Sequence, residues 1–238
     1  MKILSLHNNL LKLLLPLLLF SFVSHSANKI TMGAILFPPH TTFDEKTKQC
    51  IGKNISVSKK ILSEYGLDID VVCGPPDRIY QLIKTGVVDF TVNIKNTKSL
   101  AQNTVFIETP FRSLSLNMYS FKDIEPPNDI VVVRGFSYQG YTEKLIAQGY
   151  ELVEMPTNTS ATRVFIEKNS CKLLSYDSPF KSYMLSRNLD INQSIIIEPL
   201  LQVTSHYAIS ATSKNLKRLQ TAFNGYAKKY NVQYFDAL

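Results

Sequence analysis

The sequence lacks the short motifs that mark several large classes of enzyme. It contains no G-x-S-x-G nucleophile elbow, no H-E-x-x-H zinc motif and no glycine-rich phosphate loop. It has only four histidines, and none of them shows ligand spacing to a cysteine or pairs with an evident nucleophile. We therefore expect a protein that is not an enzyme and that holds neither a metal nor a cofactor.

Cysteine is scarce as well. Only Cys50, Cys73 and Cys171 are present, and an odd number leaves at least one of them unpaired. Cys50 and Cys73 lie in what we interpret as one unit of the chain, whereas Cys171 lies far away, beside the apolar segment KLLSY. We predict a disulfide between Cys50 and Cys73, with three free thiols as the alternative.

Acidic residues are absent from the first 26 residues of the chain, MKILSLHNNLLKLLLPLLLFSFVSHS. Lys2 and Lys12 supply positive charge, and the apolar run from Leu13 to Val23 is too short to span a bilayer. This pattern predicts a cleaved signal peptide over residues 1–26, with a retained N-terminal anchor as the alternative. No cysteine stands at the cleavage point, so we expect secretion into the periplasm without a lipid tether. That compartment permits the disulfide.

The formal net charge of the chain is +7. Its lysines are spread along the sequence, and their nearest approach to a cluster is in the last predicted helix. A solvated helix face explains that cluster better than a nucleic-acid interface does. The basic balance favours an anionic or zwitterionic small ligand through long-range attraction.

The residues after the signal segment alternate between short apolar strands and amphipathic helices. Pro75 and Pro76 can begin a helix, since its first turn needs no backbone donor, and Gly86 ends it. Strands connected through helices predict a largely parallel sheet with right-handed crossovers. The first elements are predicted at Lys29–Leu36 (strand), Lys53–Tyr65 (helix), Leu67–Cys73 (strand), Pro75–Thr85 (helix) and Val87–Val92 (strand).

The pattern in the middle of the chain predicts that a second α/β unit begins there. Ser113–Ser120 and His206–Ser213 are predicted strands that cross between two α/β halves, and a separate short strand is predicted at Ser194–Ile197. The last helix, Lys214–Tyr230, has an apolar stripe with helical spacing. We expect one lobe from residues 27–115 plus 208–238, a second from 116–207, and a ligand cleft between them.

These features resemble the bacterial extracellular solute-binding proteins of family 3. The resemblance covers most of the chain after the signal segment. It rests on GKNISVSKKILSEYG, PPDRIYQLIKTGVVDFTV, FIETPF, VVVRGFSYQGY and KLLSYDSPF. It implies an α/β, two-lobed, type II periplasmic-binding-protein-like fold with two crossing strands, and capture of a small polar solute for an ABC importer.

One position departs from the pattern of the family. Amino-acid binders of the family carry an arginine in the polar loop that clamps the ligand carboxylate, and the aligned position here is Leu100. Leucine cannot replace a bidentate arginine. The acidic residue that holds the ligand amine in the family is present as Asp177. The resemblance therefore predicts a small polar solute, amino-acid-like or another organic acid, that is not held in the usual way.

Several residues are candidates for contact with that solute. Each also has a structural explanation: a loop residue exposed to solvent, a surface cation, core packing or a helix cap. Asn93, Lys95 and Thr97 follow the third strand of the first unit. Arg134 and Ser137 lie in a turn between a strand and a helix, where backbone donors suit an anion. The remaining candidates are Phe37, as an aromatic wall at the end of the first strand, Thr159, at a helix start, and Asp177, after a strand.

The functional expectation is binding without catalysis by a monomer, with a membrane permease as its partner and no nucleic acid. Two alternatives remain. One is a ligand-sensing module without a transporter. The other is a dehydratase-like enzyme on the same fold, in which Glu108 or Asp177 would act on a bound substrate.

Overall fold

The computed structural model describes residues 29–122, 128–136, 138–190 and 194–238. The predicted signal peptide and the candidate Ser137 lie outside the described residues. Among the described residues, no helix is long and apolar enough to cross a membrane.

The first part of the chain forms the predicted parallel α/β unit. Strand β1 (Ile30–Ile35) pairs in parallel with β4 (Ile69–Gly74) and with β5 (Phe90–Ile94). Helices α1 (Lys53–Ser63) and α2 (Pro76–Lys84) connect these strands, and Pro76 occupies the first turn of α2.

The third parallel strand begins later than predicted. The apolar run from Val87 predicts a strand there, but β5 begins at Phe90. Val88 is fully buried before the strand starts, because it packs under α2, while Val87 is 59% exposed. An apolar run alone does not distinguish a buried turn from a strand.

The segment between the first predicted strand and the first predicted helix contains a β-hairpin. Strand β2 (Thr42–Asp44) pairs antiparallel with β3 (Gln49–Ile51). The predicted disulfide is present: Cys50 of β3 is joined to Cys73 of β4, with their Cα atoms 5.8 Å apart. Cys171 is free and buried.

Two long antiparallel strands form the centre of the sheet. They are β7 (Arg112–Phe121) and β11 (Ile195–Ser210). The prediction of separate strands at Ser194–Ile197 and His206–Ser213 was wrong, because β11 is continuous over 16 residues. The register shifts between Pro199 and Leu201, and this irregularity lets a proline remain inside a strand.

The remaining elements are α3 Lys98–Ala101, β6 Thr104–Phe106, β8 Asp129–Val133, α4 Tyr141–Ala147, β9 Glu151–Met155, α5 Asn158–Lys168, β10 Lys172–Tyr176, α6 Asp177–Ser186 and α7 Leu216–Lys229. Their strands complete one nine-stranded sheet in the order β4-β1-β5-β11-β7-β10-β8-β9, with β6 paired to β11. The second parallel group is β8, β9 and β10, and helices α4, α5 and α6 accompany it.

The hydrophobic interior is divided along the sheet. The first core lies between β1, β5, α1 and α7, and Leu219 and Phe223 of α7 are fully buried in it. A smaller cluster under α2, on the other side of the same strands, includes Ile79, Ile83 and Leu100. The second core lies among β7, β8, β10, α5 and α6. The exact lobe boundaries, 27–115 plus 208–238 and 116–207, stay a prediction.

Candidate functional site

A cavity lies between the first and second cores. It encloses about 660 Å³ of empty space, part of which is open to solvent. Residues from both halves of the sheet line it. They are Met32, Gly33, Ala34, Ile35, Phe37, Thr41, Asn54, Tyr80, Thr91, Val92, Asn93, Ile94, Thr97, Arg112, Leu114, Phe136, Tyr138, Tyr176 and Ser205.

Strand ends place these side chains together. Phe37 follows β1, Asn93 and Ile94 end β5, and Tyr176 ends β10. In open α/β sheets, the carboxyl ends of parallel strands meet at one edge and form the usual ligand site. The topology therefore brings residues that are distant in the sequence to one cavity.

Aromatic rings from both halves form one wall, made of Phe37, Phe136, Tyr138 and Tyr176. The ring centroids of Phe37 and Tyr176 are 5.8 Å apart, and those of Phe37 and Phe136 are 6.4 Å apart. Tyr138 and Tyr176 stack at 5.8 Å. We call these four residues the aromatic wall. Its tilted and stacked rings offer flat apolar surface to a bound molecule.

Asn93 and Thr97 hold the end of β5 in a polar network. The Nδ2 of Asn93 donates to the hydroxyl of Tyr80 at 3.1 Å, and the hydroxyl of Thr97 donates to the Oδ1 of Asn93 at 3.1 Å. Burial raises the pKa of Tyr80. Tyr80 is therefore neutral, and Asn93 keeps one amide hydrogen for a further partner.

Arg112 brings a buried cation to the cavity. It begins β7 and is only 6% exposed. Its Nε donates to the Oδ2 of Asp236 at 2.9 Å, while its Nη2 is buried without a hydrogen-bond partner among the described residues. Burial lowers the pKa of Arg112 and the Asp236 carboxylate opposes that shift. An arginine remains charged in either case.

Asn54 presents a second incompletely bonded group. Its Nδ2 donates to the hydroxyl of Thr41 at 3.0 Å, whereas its Oδ1 is buried with no partner in the described part of the chain. Thr41 and Ser205 also line the cavity, and Ser205 pairs with Arg112 across β11 and β7. We call Thr41, Asn54, Arg112 and Ser205 the polar group of the cavity.

His40 lies next to this polar group. Its ring stacks on Phe37 with centroids 6.1 Å apart. Burial, followed by the charge of Arg112, lowers the pKa of His40 to about 4. His40 is therefore neutral at pH 7 and adds no charge there.

Several predicted contact residues pair with other side chains outside the cavity lining. Lys95 forms an ion pair with Glu108 at 2.8 Å, and Arg134 forms one with Glu154 at 3.2 Å. Asp177 pairs with Lys181 on its own helix at 2.9 Å. Their role as ligand contacts stays a prediction.

Thr159 is exposed in the first turn of α5, and the cap of that helix is Thr157, which bonds reciprocally with Ser160. Like the three charged candidates, Thr159 lies outside the cavity lining, and its contact with ligand stays a prediction. Of the predicted residues, Phe37, Asn93 and Thr97 are the ones that line the cavity.

Sequence reasoning missed Arg112, Asn54 and Thr41. The signal for Arg112 was an arginine inside the apolar context FRSLSL, where a strand that continues into a core would not normally place a charge. Asn54 and Thr41 gave no such signal, because each sits in a segment with ordinary helix or loop composition.

Comparison with known proteins identifies the fold. No family model and no curated protein sequence matches the chain. A histidine kinase sensor domain with similarity to periplasmic binding proteins superimposes with a TM-score of 0.71 and 16% identity, covering 85% of this chain and 91% of that one. The fold is that of a type II periplasmic binding protein.

Two further solved structures share this fold. The arginine-bound form of truncated ArgBP from T. maritima has a TM-score of 0.67 and 15% identity over 85% of this chain and 96% of its own. An ancestral amino acid-binding protein, a precursor of cyclohexadienyl dehydratase, has a TM-score of 0.68 and 15% identity over 88% and 92%. At such identities the likeness shows the fold alone, so membership of family 3 stays a prediction.

Proposed function

We propose that this chain is a secreted periplasmic solute-binding protein that holds a small polar solute in the cavity between its two lobes and presents it to the permease of an ABC importer. It acts as a monomer and without catalysis. The solute contacts both lobes and thereby stabilises the closed arrangement.

The unsatisfied polar groups of the cavity support this proposal most strongly. Arg112 Nη2 and Asn54 Oδ1 are both buried without partners among the described residues, and both side chains line the cavity. Buried polar groups in folded proteins nearly always have a hydrogen-bond partner, because a buried group without one destabilises the fold by about 1–3 kcal/mol. A polar solute in the cavity supplies these partners.

Contacts between the halves of the chain fit a closed arrangement. Asn158 Nδ2 donates to the carbonyl of Leu36 at 3.1 Å, and Gln139 Nε2 donates to the carbonyl of Lys95 at 3.0 Å. Lys98 forms an ion pair with Glu143. These contacts would separate if the lobes moved apart, so opening would release the solute and expose the aromatic wall.

The predicted contact residues enter the proposal at two levels. Phe37, Asn93 and Thr97 line the cavity and would contact the solute directly. Lys95, Arg134 and Asp177 would take part after leaving their present ion-pair partners, and Ser137 and Thr159 stay in the proposal as predicted contacts. Arg112 is added to the set as the cation that faces the cavity.

Two alternative functions have a structural counterpart. The sensor-domain neighbour supports a ligand-sensing module without a transporter, and the dehydratase precursor supports an enzyme on the same fold. The cavity favours binding over catalysis, because no carboxylate stands among the described residues that line it. The titratable hydroxyls of the lining, on Tyr80, Tyr138 and Tyr176, stay neutral because burial raises the pKa of each, so none of them is a general base at neutral pH.

A solute screen followed by calorimetry tests the proposal. The mature protein is heated with a panel of amino acids, organic acids, sugars and amines, and a bound solute raises the melting temperature by mass action. Affinity for the best solute is then measured in Arg112→Gln. Loss of one partner of a buried charged contact costs about 2–5 kcal/mol, so we expect binding to weaken well over tenfold.

The matched control for this variant is Arg163→Gln, since Arg163 is exposed on α5 and outside the cavity lining. Should Arg112→Gln fail to fold, Arg112→Lys keeps a positive charge near Asp236 but replaces the planar guanidinium by a single ammonium, which cannot serve Asp236 and the solute in the same geometry. Affinity that is intact in the Arg112 variant but lost in Arg134→Ala would move the site to the turn after β8. Turnover of the bound solute would favour the enzyme, and binding without any effect on uptake by cells would favour the sensor.

A further inference from the structure

The charge balance of the cavity restricts the class of solute. Among the described residues that line it, Arg112 is the only one with a formal charge at neutral pH. Asp236, which partly offsets that charge, bonds Arg112 through Nε and leaves Nη2 uncompensated. The cavity is therefore lined by a buried guanidinium whose Nη2 has no hydrogen-bond partner among the described residues.

The described lining contains no carboxylate that could pair with a cation. Tyr80, Tyr138 and Tyr176 are the acidic hydroxyls there, and burial raises the pKa of each, so they remain neutral. Asp177, the predicted partner of a ligand amine, forms an ion pair with Lys181 and lies outside the lining, and Asp236 is already bonded to Arg112. Burying an ammonium group without a carboxylate is costly, which disfavours a zwitterion in this arrangement.

The polar group fits a carboxylate. Arg112 Nη2 offers a charge-assisted donor to an anionic oxygen. Asn54 can turn its amide by 180°, so that its Oδ1 accepts from Thr41 and its Nδ2 donates to the solute. Ser205 adds a hydroxyl to the same lining. Arg112 and Asn54 can each donate to a carboxylate oxygen. The hydroxyl of Ser205 donates to the carbonyl of Arg112 at 3.4 Å and can rotate to donate to the solute instead.

Apart from Thr91, Asn93 and Thr97, the rest of the described lining is mostly apolar. The aromatic wall contributes four rings, and Ile35, Ile94 and Leu114 add aliphatic contacts. A planar apolar body fills such a space better than a polyhydroxylated or branched one, because ring faces pack closely at these separations.

Resting on the proposed function, we propose that the cavity takes a monocarboxylate with a flat, ring-bearing body and without an ammonium group. Arg112 binds the carboxylate, Asn54 and Ser205 complete its hydrogen bonds, and Phe37 and Tyr176 contact the ring. The solute is then an organic anion, in contrast to the α-amino acid that the fold resemblance first suggests.

Four probes that differ by one group test this inference on the unaltered mature protein by calorimetry. 3-Phenylpropionate carries the ring and the carboxylate, L-phenylalanine adds an ammonium group, 2-phenylethylamine replaces the acid by an amine, and propionate removes the ring. We expect 3-phenylpropionate to bind at least tenfold more tightly than L-phenylalanine and propionate, and 2-phenylethylamine not to bind.

Equal or tighter binding of L-phenylalanine or 2-phenylethylamine would overturn the inference, while the proposed function would stand. The same holds if none of the four probes binds but an amino acid, a sugar or an amine from the broad screen does. If no solute of any class binds, the proposed function itself is wrong.

Discussion

His40 is the residue whose protonation most directly records the surroundings of the cavity. Desolvation and Arg112 lower its pKa, Lys53 acts in the same direction, and Asp236 opposes them. Arg112 and Asp236 form the ion pair beside the cavity, and we propose that Arg112 binds the solute. The pKa of His40 therefore depends on a residue of the proposed binding site.

The first prediction concerns stability against pH. The pKa of His40 falls from 6.5 to about 4 on folding, so between these values the unfolded chain binds a proton that the folded chain does not. The free energy of unfolding should therefore decrease as the pH falls from 6.5 towards 4. His40→Gln should remove about 1–2 kcal/mol of this loss, the partial exposure of the ring reducing the effect.

Urea unfolding at pH 7, 5.5 and 4.5 provides the measurement. His206 contributes a slope of the same sign, since burial also lowers its pKa, and it is present in both proteins. The difference between the unaltered chain and His40→Gln therefore isolates His40. Parallel pH profiles in the two proteins would show that His40 titrates normally.

At the scale of residues, the sequence predicts which side chains lie near the cavity better than it predicts which partners they bind. Phe37, Asn93 and Thr97 were predicted from strand ends, and the structure places all three in the cavity lining. Arg134 was predicted because it lies in a turn between a strand and a helix, and Arg112 was missed. The ion pair between Arg112 and Asp236 joins residues 124 positions apart, and no local pattern indicates it.

At the scale of elements, α7 connects the end of the chain to the first core. Its apolar stripe was the clearest helical period in the sequence, and Leu219, Phe223 and Tyr226 are buried as that stripe predicts. Leu216 is partly buried, and Tyr230, the last residue of the stripe, is 47% exposed. Phe223 stacks on Tyr207 of β11 with ring centroids 3.8 Å apart and meets Phe90 of β5 at 5.4 Å. The helix thereby fixes the strands whose ends line the cavity.

The second prediction removes this ring. Phe223→Ala should lower the free energy of unfolding by about 3–5 kcal/mol, because a fully buried aromatic ring leaves a cavity. Lys217→Ala on the exposed side of α7 is the control and should change stability by less than about 0.5 kcal/mol. Chemical denaturation measures both. A small loss in Phe223→Ala would mean that α7 does not complete the first core.

The sequence was least informative about the crossing strand β11. Two short strands were predicted, and Pro199 lies between them, where a proline favours an interruption. In the structure β7 supplies a continuous partner on one side, and a register shift accommodates the proline. Local propensity was overridden by pairing with a distant strand, which a single sequence does not reveal.

At the scale of the whole molecule, the two lobes meet at a glycine. Gly135 follows β8 with φ +83°, and a Cβ there would clash with the Oδ1 of Asp77 and lie 3.2 Å from the Cβ of Pro76. Asp77 and Pro76 begin α2 in the other half of the molecule. Close approach of the halves at this point depends on the absence of a side chain.

The third prediction uses this contact. Gly135→Ala should weaken binding of the solute about tenfold, because the added methyl group opposes closure and the solute must then supply that energy. Gly149→Ala is a matched control, since Gly149 has φ +89° and no atom within 4 Å of the added Cβ. Both variants carry similar backbone strain. A difference between their solute affinities, measured by calorimetry, therefore reports the effect of the added methyl group on closure. Equal affinities in the two variants would contradict a role of this contact in closure.

The overall architecture was the part best predicted from the sequence. Alternating strands and helices predict parallel units, and crossover handedness restricts how they connect, so the two-lobed α/β fold followed without knowledge of any contact. The relative placement of the halves depends on side-chain contacts such as Gly135 against Asp77. Sequence pattern carries no information on such contacts.

A crystal structure of the protein with the solute that raises its melting temperature most tests the central claim most directly. We predict that the solute lies in the cavity between the lobes, with an oxygen bonded to Arg112 Nη2 and its body between Phe37 and Tyr176. A solute bound elsewhere on the surface, with the cavity unchanged and Arg112 Nη2 still without a partner, would contradict the account.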